Sequence, residues 1–406
     1  MTQQATTLSP LRYRTFALIL LGSLLSNFGN AIQSVGAAWH LTAAHQPADI
    51  VALVQSATNL PITLLALPAG AWADMHDRRI IMLLAQVAMM MLSFTLAGLA
   101  FAGITHPAVI VGLTALLACG VACFNPALSA SIGGIVPRAE LAAAVALNIL
   151  AFNVARSLGP AVGGMIVAAG GAKAAFVANA LSYFAVILIL WRWKPEPAPP
   201  VERRSLLAVI GEGFRFAMGS PPVRTIMLRA VTFTSAGSAA WALMPLVAAD
   251  LLGQGSVTYG LLLGALGLGA VIGAATSTWF RRFYSSEAII RAAGMLYGAG
   301  CIIVALKPGL VAMLALLVVS GAGWVQALSG FSVAGQMWSP RPLVGRITAM
   351  VSSLTFGGIA LGSWLWGHFA ENHGVAAALL ASGGAMIVLP VIGLISPMPK
   401  HEAAAN

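Results

Sequence analysis

Long apolar stretches return along this chain so regularly that few folds remain open to it. Twelve runs are separated by short polar joints, at 15–42, 49–72, 80–103, 107–136, 141–169, 174–191, 223–250, 258–280, 288–306, 310–338, 345–370 and 375–396. At about 1.5 Å of rise per residue, helices of this length cross a hydrocarbon layer about 30 Å thick, most with length to spare for tilt. A span in that layer must satisfy its own backbone, and runs this long do so as helices. The expectation is an all-α membrane protein with twelve transmembrane helices. Composition agrees: 59% of residues are hydrophobic and 8% charged, against about 25% charged in soluble domains.

The formal net charge is +10, which in a soluble protein would suggest nucleic acid. Here the basic residues gather in the joints on one side of the crossings. Of 21 Lys and Arg, Lys173 and Lys307 alone fall on the other side, and Arg156 falls inside a helix. Short loops rich in Lys and Arg stay cytoplasmic, so the excess is an orientation signal and no nucleic-acid partner is expected. It predicts a multi-pass protein of the cytoplasmic (inner) membrane with both termini inside. The first run continues from Thr15 past any cleavage site and is expected to remain as a helix. Three cysteines, with Cys119 and Cys123 one turn apart, supply neither a disulfide framework nor a paired zinc-ligand spacing. No metal or other cofactor is expected. None of the four lysines follows a glycine, so there is no Walker-type loop and ATP is set aside as the driver.

Between the sixth and seventh runs lies 194–222, opened by Pro195, Pro197, Pro199 and Pro200 and closed by Pro221 and Pro222. Within it Leu206, Ile210, Phe214 and Met218 recur every four residues among Arg203, Arg204, Glu212 and Arg215, the pattern of an amphipathic helix lying on a membrane surface. This linker divides the chain into 1–193 and 223–406. The two parts are weakly related. Gly70-Ala71 and Arg78-Arg79 align without a gap on Gly273-Ala274 and Arg281-Arg282, while Asp74 and Asp77 fall against Ser277 and Phe280. Likewise Gly159-Pro160-Ala161-Val162-Gly163-Gly164 aligns on Gly358-Ile359-Ala360-Leu361-Gly362-Ser363. Two six-helix bundles related as parallel repeats are an architecture of secondary transporters, with the substrate path at their interface.

At these residues the chain resembles the major facilitator superfamily, and within it the bacterial exporter-like branch that includes the enterobactin exporter and macrolide efflux proteins. Gly70, Asp74, Asp77, Arg78 and Arg79 match the family's loop after the second helix, with Met75 where the family usually has arginine. Asn27 to Gly29 with Trp39, Leu41 and Thr42, then Pro126-Ala127 with Val136-Pro137, and Glu212-Gly213-Phe214-Arg215 in the linker match further. Gly159-Pro160 with Gly163-Gly164 is similar to the antiporter motif of drug exporters, although its leading glycine is Ala155 here. An arginine signature of the fourth helix is absent. The resemblance covers nearly the whole chain and implies the major facilitator fold.

In the charged loop, a carboxylate can accept N–H groups at a neighbouring helix N-terminus, where the dipole favours negative charge. Asp74 is expected to latch the two bundles in this way on the cytoplasmic side. The resemblance implies the same and puts its partner at the start of the eleventh helix, near Gly345 and Arg346. Asp77 is read as a solvated charge paired with Arg78 and Arg79, which chiefly set topology. Arg156, near the middle of the fifth helix, is costly there without a partner or cavity. It either meets an anionic substrate group or donates to helix carbonyls and neighbours such as Asn153 or Asn125.

Polar residues at helical spacing mark candidate cavity faces: Asn27, Asn30, Gln55, Asn59, Asn125, Asn148 and Gln326. For any one of them, hydrogen bonding between helices is the alternative. Eight of the ten tryptophans fall near helix ends, as an interfacial belt requires. Trp241 and Trp324 sit deeper, where they would stack on a ligand or simply pack. For proton coupling no carboxylate lies in mid-span, and Asp74 and Asp250 are the nominations.

The resulting expectation is a monomeric secondary transporter and not an enzyme. It would export a small amphipathic or anionic molecule, such as a drug, siderophore or other secondary metabolite, by alternating access in exchange for protons. A proton-linked importer of a small organic solute and a non-transporting membrane sensor of the same fold are the alternatives.

Overall fold

The computed structural model describes residues 8–194 and 206–395, without the side chains of Asp74, 206–210, Pro342 and 390–395. Among the described residues every regular element is helical. The order is α1 (Arg14–Ala43), α2 (Ala48–Met75), α3 (Arg78–Phe101), α4 (Pro107–Ile132), α5 (Leu141–Arg192), α6 (Leu206–Gly219), α7 (Pro221–Gly237), α8 (Ala239–Ala242), α9 (Met244–Leu246), α10 (Ser256–Phe283), α11 (Ser286–Ala305), α12 (Leu310–Met337), α13 (Val344–His373) and α14 (Val375–Ile395). One π turn, Val247–Leu251, follows α9.

Helix starts follow local chemistry. Asp77 caps α3 by accepting the Arg79 N–H at 2.9 Å, and Ser285 caps α11 by accepting from Ala288 at 3.2 Å. Pro107 opens α4, where its missing N–H costs nothing. Two expected spans merge, because α5 runs through 141–192 as 52 residues. A straight helix of that length would be about 78 Å long, more than twice the hydrocarbon thickness. The break is at Gly171, with φ 71° and ψ −177°, a region essentially confined to glycine. The expected span 223–250 is instead α7 to α9 plus the π turn, because Pro245 has no N–H to continue the ladder. With these two departures, and with α14 counted as a shorter apolar helix over Val375–Leu389, nine of the described helices are both long and apolar enough to cross a membrane.

One expected repeat changes register. Arg78-Arg79 open α3, whereas Arg281-Arg282 lie in the last turn of α10. The equivalent cap pairs Asp77 with Ser285, so the gap-free alignment through Gly273 does not match the helix ends. Gly70 also faces open space, while a Cβ on Gly273 would stand 2.5 Å from the Ala322 carbonyl oxygen. The other repeat survives as packing. A Cβ on Gly163 would stand 3.0 Å from Ile32 Cα, joining α5 to α1, and one on Gly358 would stand 2.8 Å from the Val231 oxygen, joining α13 to α7. Small residues let membrane helices approach to backbone distance in this way.

Within the first half, α5 lies along α1 and α3, and α2 along α4. Within the second, α10 lies along α12, α11 along α12 and α14, and α7 along α13. Two long seams join the halves, α2 with α13 and α5 with α10. One end of the molecule carries most of the arginines and is called the basic end below. There Arg12 pairs with the buried Glu140, and Arg229 and Arg291 both pair with Glu287. The Arg12 guanidinium is held above its ordinary value, first by its hydrogen bond with Tyr13 and further by the Glu140 charge.

Candidate functional site

A cavity of about 490 Å³ lies between the halves at mid-height, lined by α1, α2, α4, α5, α8, α10 and α13. Of the residues singled out from sequence, Asn27, Asn30, Gln55, Asn59, Asn125, Pro126, Arg156, Pro160 and Trp241 line it. Trp324 and Gln326 do not. Trp324 is fully buried against Phe233 and Tyr297, with ring centroids 5.5 and 5.0 Å away. The Gln326 amide donates to the Gly273 carbonyl at 3.0 Å and so ties α12 to α10. Gln33, Ser34, Thr58, Thr114 and Ser129 also line the cavity. Gln33 and Thr58 stand one turn from Asn30 and Gln55, so helical spacing carried the signal for both.

Several of these polar groups are already used. The Tyr183 hydroxyl donates to Asn30 Oδ1, the Gln33 amide to Thr114 Oγ1 at 3.2 Å, and the Asn59 amide to the Gln55 carbonyl at 2.7 Å. Among the described residues, the Asn27, Gln55 and Asn125 side chains make no hydrogen bond. Arg156 is the one charged residue of the lining. Its guanidinium carbon stands 4.9 Å from the centroid of the Trp241 ring. Neither Asn153 nor Asn125 receives a hydrogen bond from it, and no described carboxylate pairs with it. Trp241 Nε1 is buried without a partner.

The end remote from the basic one is sealed by backbone. A Cβ on Gly164 would stand 2.5 Å from the Ser256 carbonyl oxygen and 3.1 Å from Gly260 Cα, and Ser256 Oγ donates to the Gly164 carbonyl at 3.1 Å. A Cβ on Gly367 would stand 2.5 Å from Ala52 Cβ. Trp39 stacks on Tyr259 at 6.2 Å. Glu371 of α13 accepts the Ala48 N–H at 2.6 Å, supplying the cap that Pro47 cannot give α2. Gly159, Gly163 and Gly164 lie on close-packed seams, against Ala31, Ile32 and Ser256, and Pro160 also lines the cavity. Asp250 is exposed in the π turn and is not part of the cavity lining.

At the basic end the arginines staple helix ends inside the first half. Arg78 donates to the Ala130 carbonyl of α4 at 2.8 Å, and Arg79 to Leu190 at 2.8 Å and Trp191 at 2.6 Å of α5. Asp77 is exposed, and its carboxylate also serves as the α3 cap. Asp74 lies in the last turn of α2, and its side chain is outside the described residues. Arg346, the expected neighbour of its latch, pairs with Glu212 of α6. A Cβ on Gly70 or Gly345 would meet nothing within 4 Å. Of the linker, α6 falls within the described residues. Its Gly213 side packs on Arg346, with Phe214 and Met218 left exposed.

A family model described as "transmembrane secretion effector" matches residues 5–406. The multidrug efflux pump Tap of Mycolicibacterium fortuitum is 27% identical over 407 residues, covering 96% of this chain and 97% of that protein. The enterobactin exporter EntS of Escherichia coli O1:K1 / APEC is 30% identical over 289 residues, covering 70% of this chain and 65% of EntS. Among solved structures, a mutant of the nucleoside transporter NupG superposes with a TM-score of 0.80 at 12% identity, covering 95% of this chain and 100% of that one. A D-xylose–proton symporter gives 0.73 at 13% identity, covering 95% and 98%. Likeness at such identity speaks for the fold, and the family match speaks for descent. The chain belongs to the transmembrane secretion effector family of major facilitator superfamily transporters.

Proposed function

We propose that this protein is a secondary exporter of small molecules that works by alternating access across the cytoplasmic membrane. The observation that carries the reading is a mid-height cavity between two halves, largely apolar but carrying amides, hydroxyls and Arg156, closed on one side by close helix packing. In this reading the chain makes twelve crossings, with α5 supplying the fifth and sixth on either side of Gly171 and α7 to the π turn forming the seventh. Residues 1–193 and 223–406 are the two six-helix bundles, and 194–222 joins them. The basic end faces the cytoplasm, following the preference of Lys- and Arg-rich joints. The conformation is then closed outward. Export as the direction follows the efflux relatives, Tap and EntS.

Exchange against protons completes the reading. No carboxylate lines the cavity among the described residues, so the proposed coupling acts at the ends, with Asp74 and Asp250 as proposed carriers. The test is an efflux-deficient host expressing this protein, loaded with a panel of toxic amphipathic compounds. We expect lower accumulation of at least one compound, restored when the pH gradient is collapsed. Unchanged accumulation across the panel would sink export, and loss insensitive to the gradient would sink proton exchange.

A further inference from the structure

The charge balance of the cavity is unusual for a broad drug site. Arg156 brings five N–H donors into the space between the halves. Its guanidinium carbon lies over the Trp241 ring, 4.9 Å from the centroid, and among the described residues none of its N–H groups makes a hydrogen bond. Among the described residues no carboxylate pairs with it and no acidic residue belongs to the lining. A cation held in a low-dielectric site without a counter-charge is expensive. The surroundings supply only half of what it needs.

Trp241, which comes from the other half of the molecule, is 9% exposed and lines the same cavity. Its Nε1 is buried and has no acceptor among the described residues, so the surface it offers a ligand is the ring. Around Arg156 and Trp241 the wall is apolar, including Phe152, Leu117, Ile62 and Phe356.

We propose that this cavity is an organic-anion site: Arg156 grips a planar anionic group, a carboxylate or its equivalent, on an aromatic or amphipathic body, with the Trp241 ring as stacking surface. A carboxylate matches the guanidinium fork bidentately. A cationic amphiphile would meet an unopposed positive charge and is excluded. This rests on reading the cavity as the cargo site, but it is tested by binding alone, so that it can fail separately from transport.

The test uses the full chain in lipid nanodiscs and three probes sharing one body: 2-naphthoate, 2-naphthamide and 2-naphthylmethylammonium. Calorimetric titration should rank the carboxylate at least about tenfold above the amide, as a charge-assisted bidentate pair allows, and the ammonium should neither bind nor compete. Arg156→Gln should bring carboxylate and amide within about twofold of each other while keeping amide affinity, and Arg156→Lys should keep part of the preference. Equal affinities in the parent protein, preference for the ammonium, absence of binding by all three, or a preference that survives Arg156→Gln would each overturn the proposal. If Arg156→Gln does not fold, the probe ranking and Arg156→Lys still decide. Binding with the predicted ranking but no gradient-driven export would refute the transport reading and leave this one standing.

Discussion

The two ends of the molecule join their halves by different physics. At the end remote from the arginines, backbone meets backbone: Gly164 against Ser256 and Gly260, and Gly367 against Asp49 and Ala48. One carboxylate, Glu371, crosses the seam to cap α2. At the basic end the strong side-chain contacts stay inside one half, as with Arg79 on the end of α5 and Glu287 between Arg229 and Arg291. There the second half meets the linker through Glu212 and Arg346. Contacts of shape are short-ranged and lost together once helices part, whereas exposed ion pairs loosen gradually in water. The molecule is thus sealed at one end by fit and held at the other by separately braced halves, an arrangement suited to parting along α2–α13 and α5–α10.

Three substitutions can break or sharpen this contrast, each read by labelling Ser34→Cys in the cavity with a membrane-impermeant maleimide. The native Cys119, Cys123 and Cys301 are replaced, and reagent is added outside intact cells. Gly164→Val should have the largest effect. Its Cβ would collide with the Ser256 oxygen, and overpacking of this kind costs about 1–3 kcal/mol, equivalent to about 5- to 150-fold in a two-state balance. Outside labelling should rise at least about fivefold, and unchanged labelling would mean that the seam is not the outer seal. Glu371→Gln removes a charge at a helix N-terminus worth about 0.3–1 kcal/mol, so labelling should rise roughly two- to fivefold. No change would reduce Glu371 to a solvated end. Arg346→Ala breaks a pair in which Glu212 is 54% exposed, worth about 0–1 kcal/mol. Outside labelling should stay as in the parent, and a rise equal to that of Gly164→Val would erase the distinction between the ends.

Much of the cavity is legible from spacing, because Asn27, Asn30, Gln55 and Asn59 repeat at helical intervals and Arg156 is the one charge at mid-span. What spacing cannot resolve is which face of a helix meets which neighbour across the chain. Trp241 and Trp324 look alike in sequence, yet one stacks on Arg156 and the other fills the core beside Tyr297. Gln326 shares the same ambiguity and serves a helix seam. The cap on α2 was illegible for another reason: its donor and acceptor, Ala48 and Glu371, lie 323 residues apart. The capping role of the exposed Asp77 is hidden in the sequence because a surface carboxylate and a helix cap differ only in local backbone angles. At the twelve runs the legibility is greatest, since length and apolarity act residue by residue, and it fails at Gly171 and Pro245, where single residues decide continuity.

Gly171 has a counterpart in Gly374, the lone residue between α13 and α14, with φ 85° and ψ 156°. Both angles lie in territory that other residues essentially do not occupy. A joint of one residue leaves the chain no slack. The angle between the two arms is therefore set by the backbone of a single glycine in each place, and a side chain there would bend the joint before it disturbed either arm.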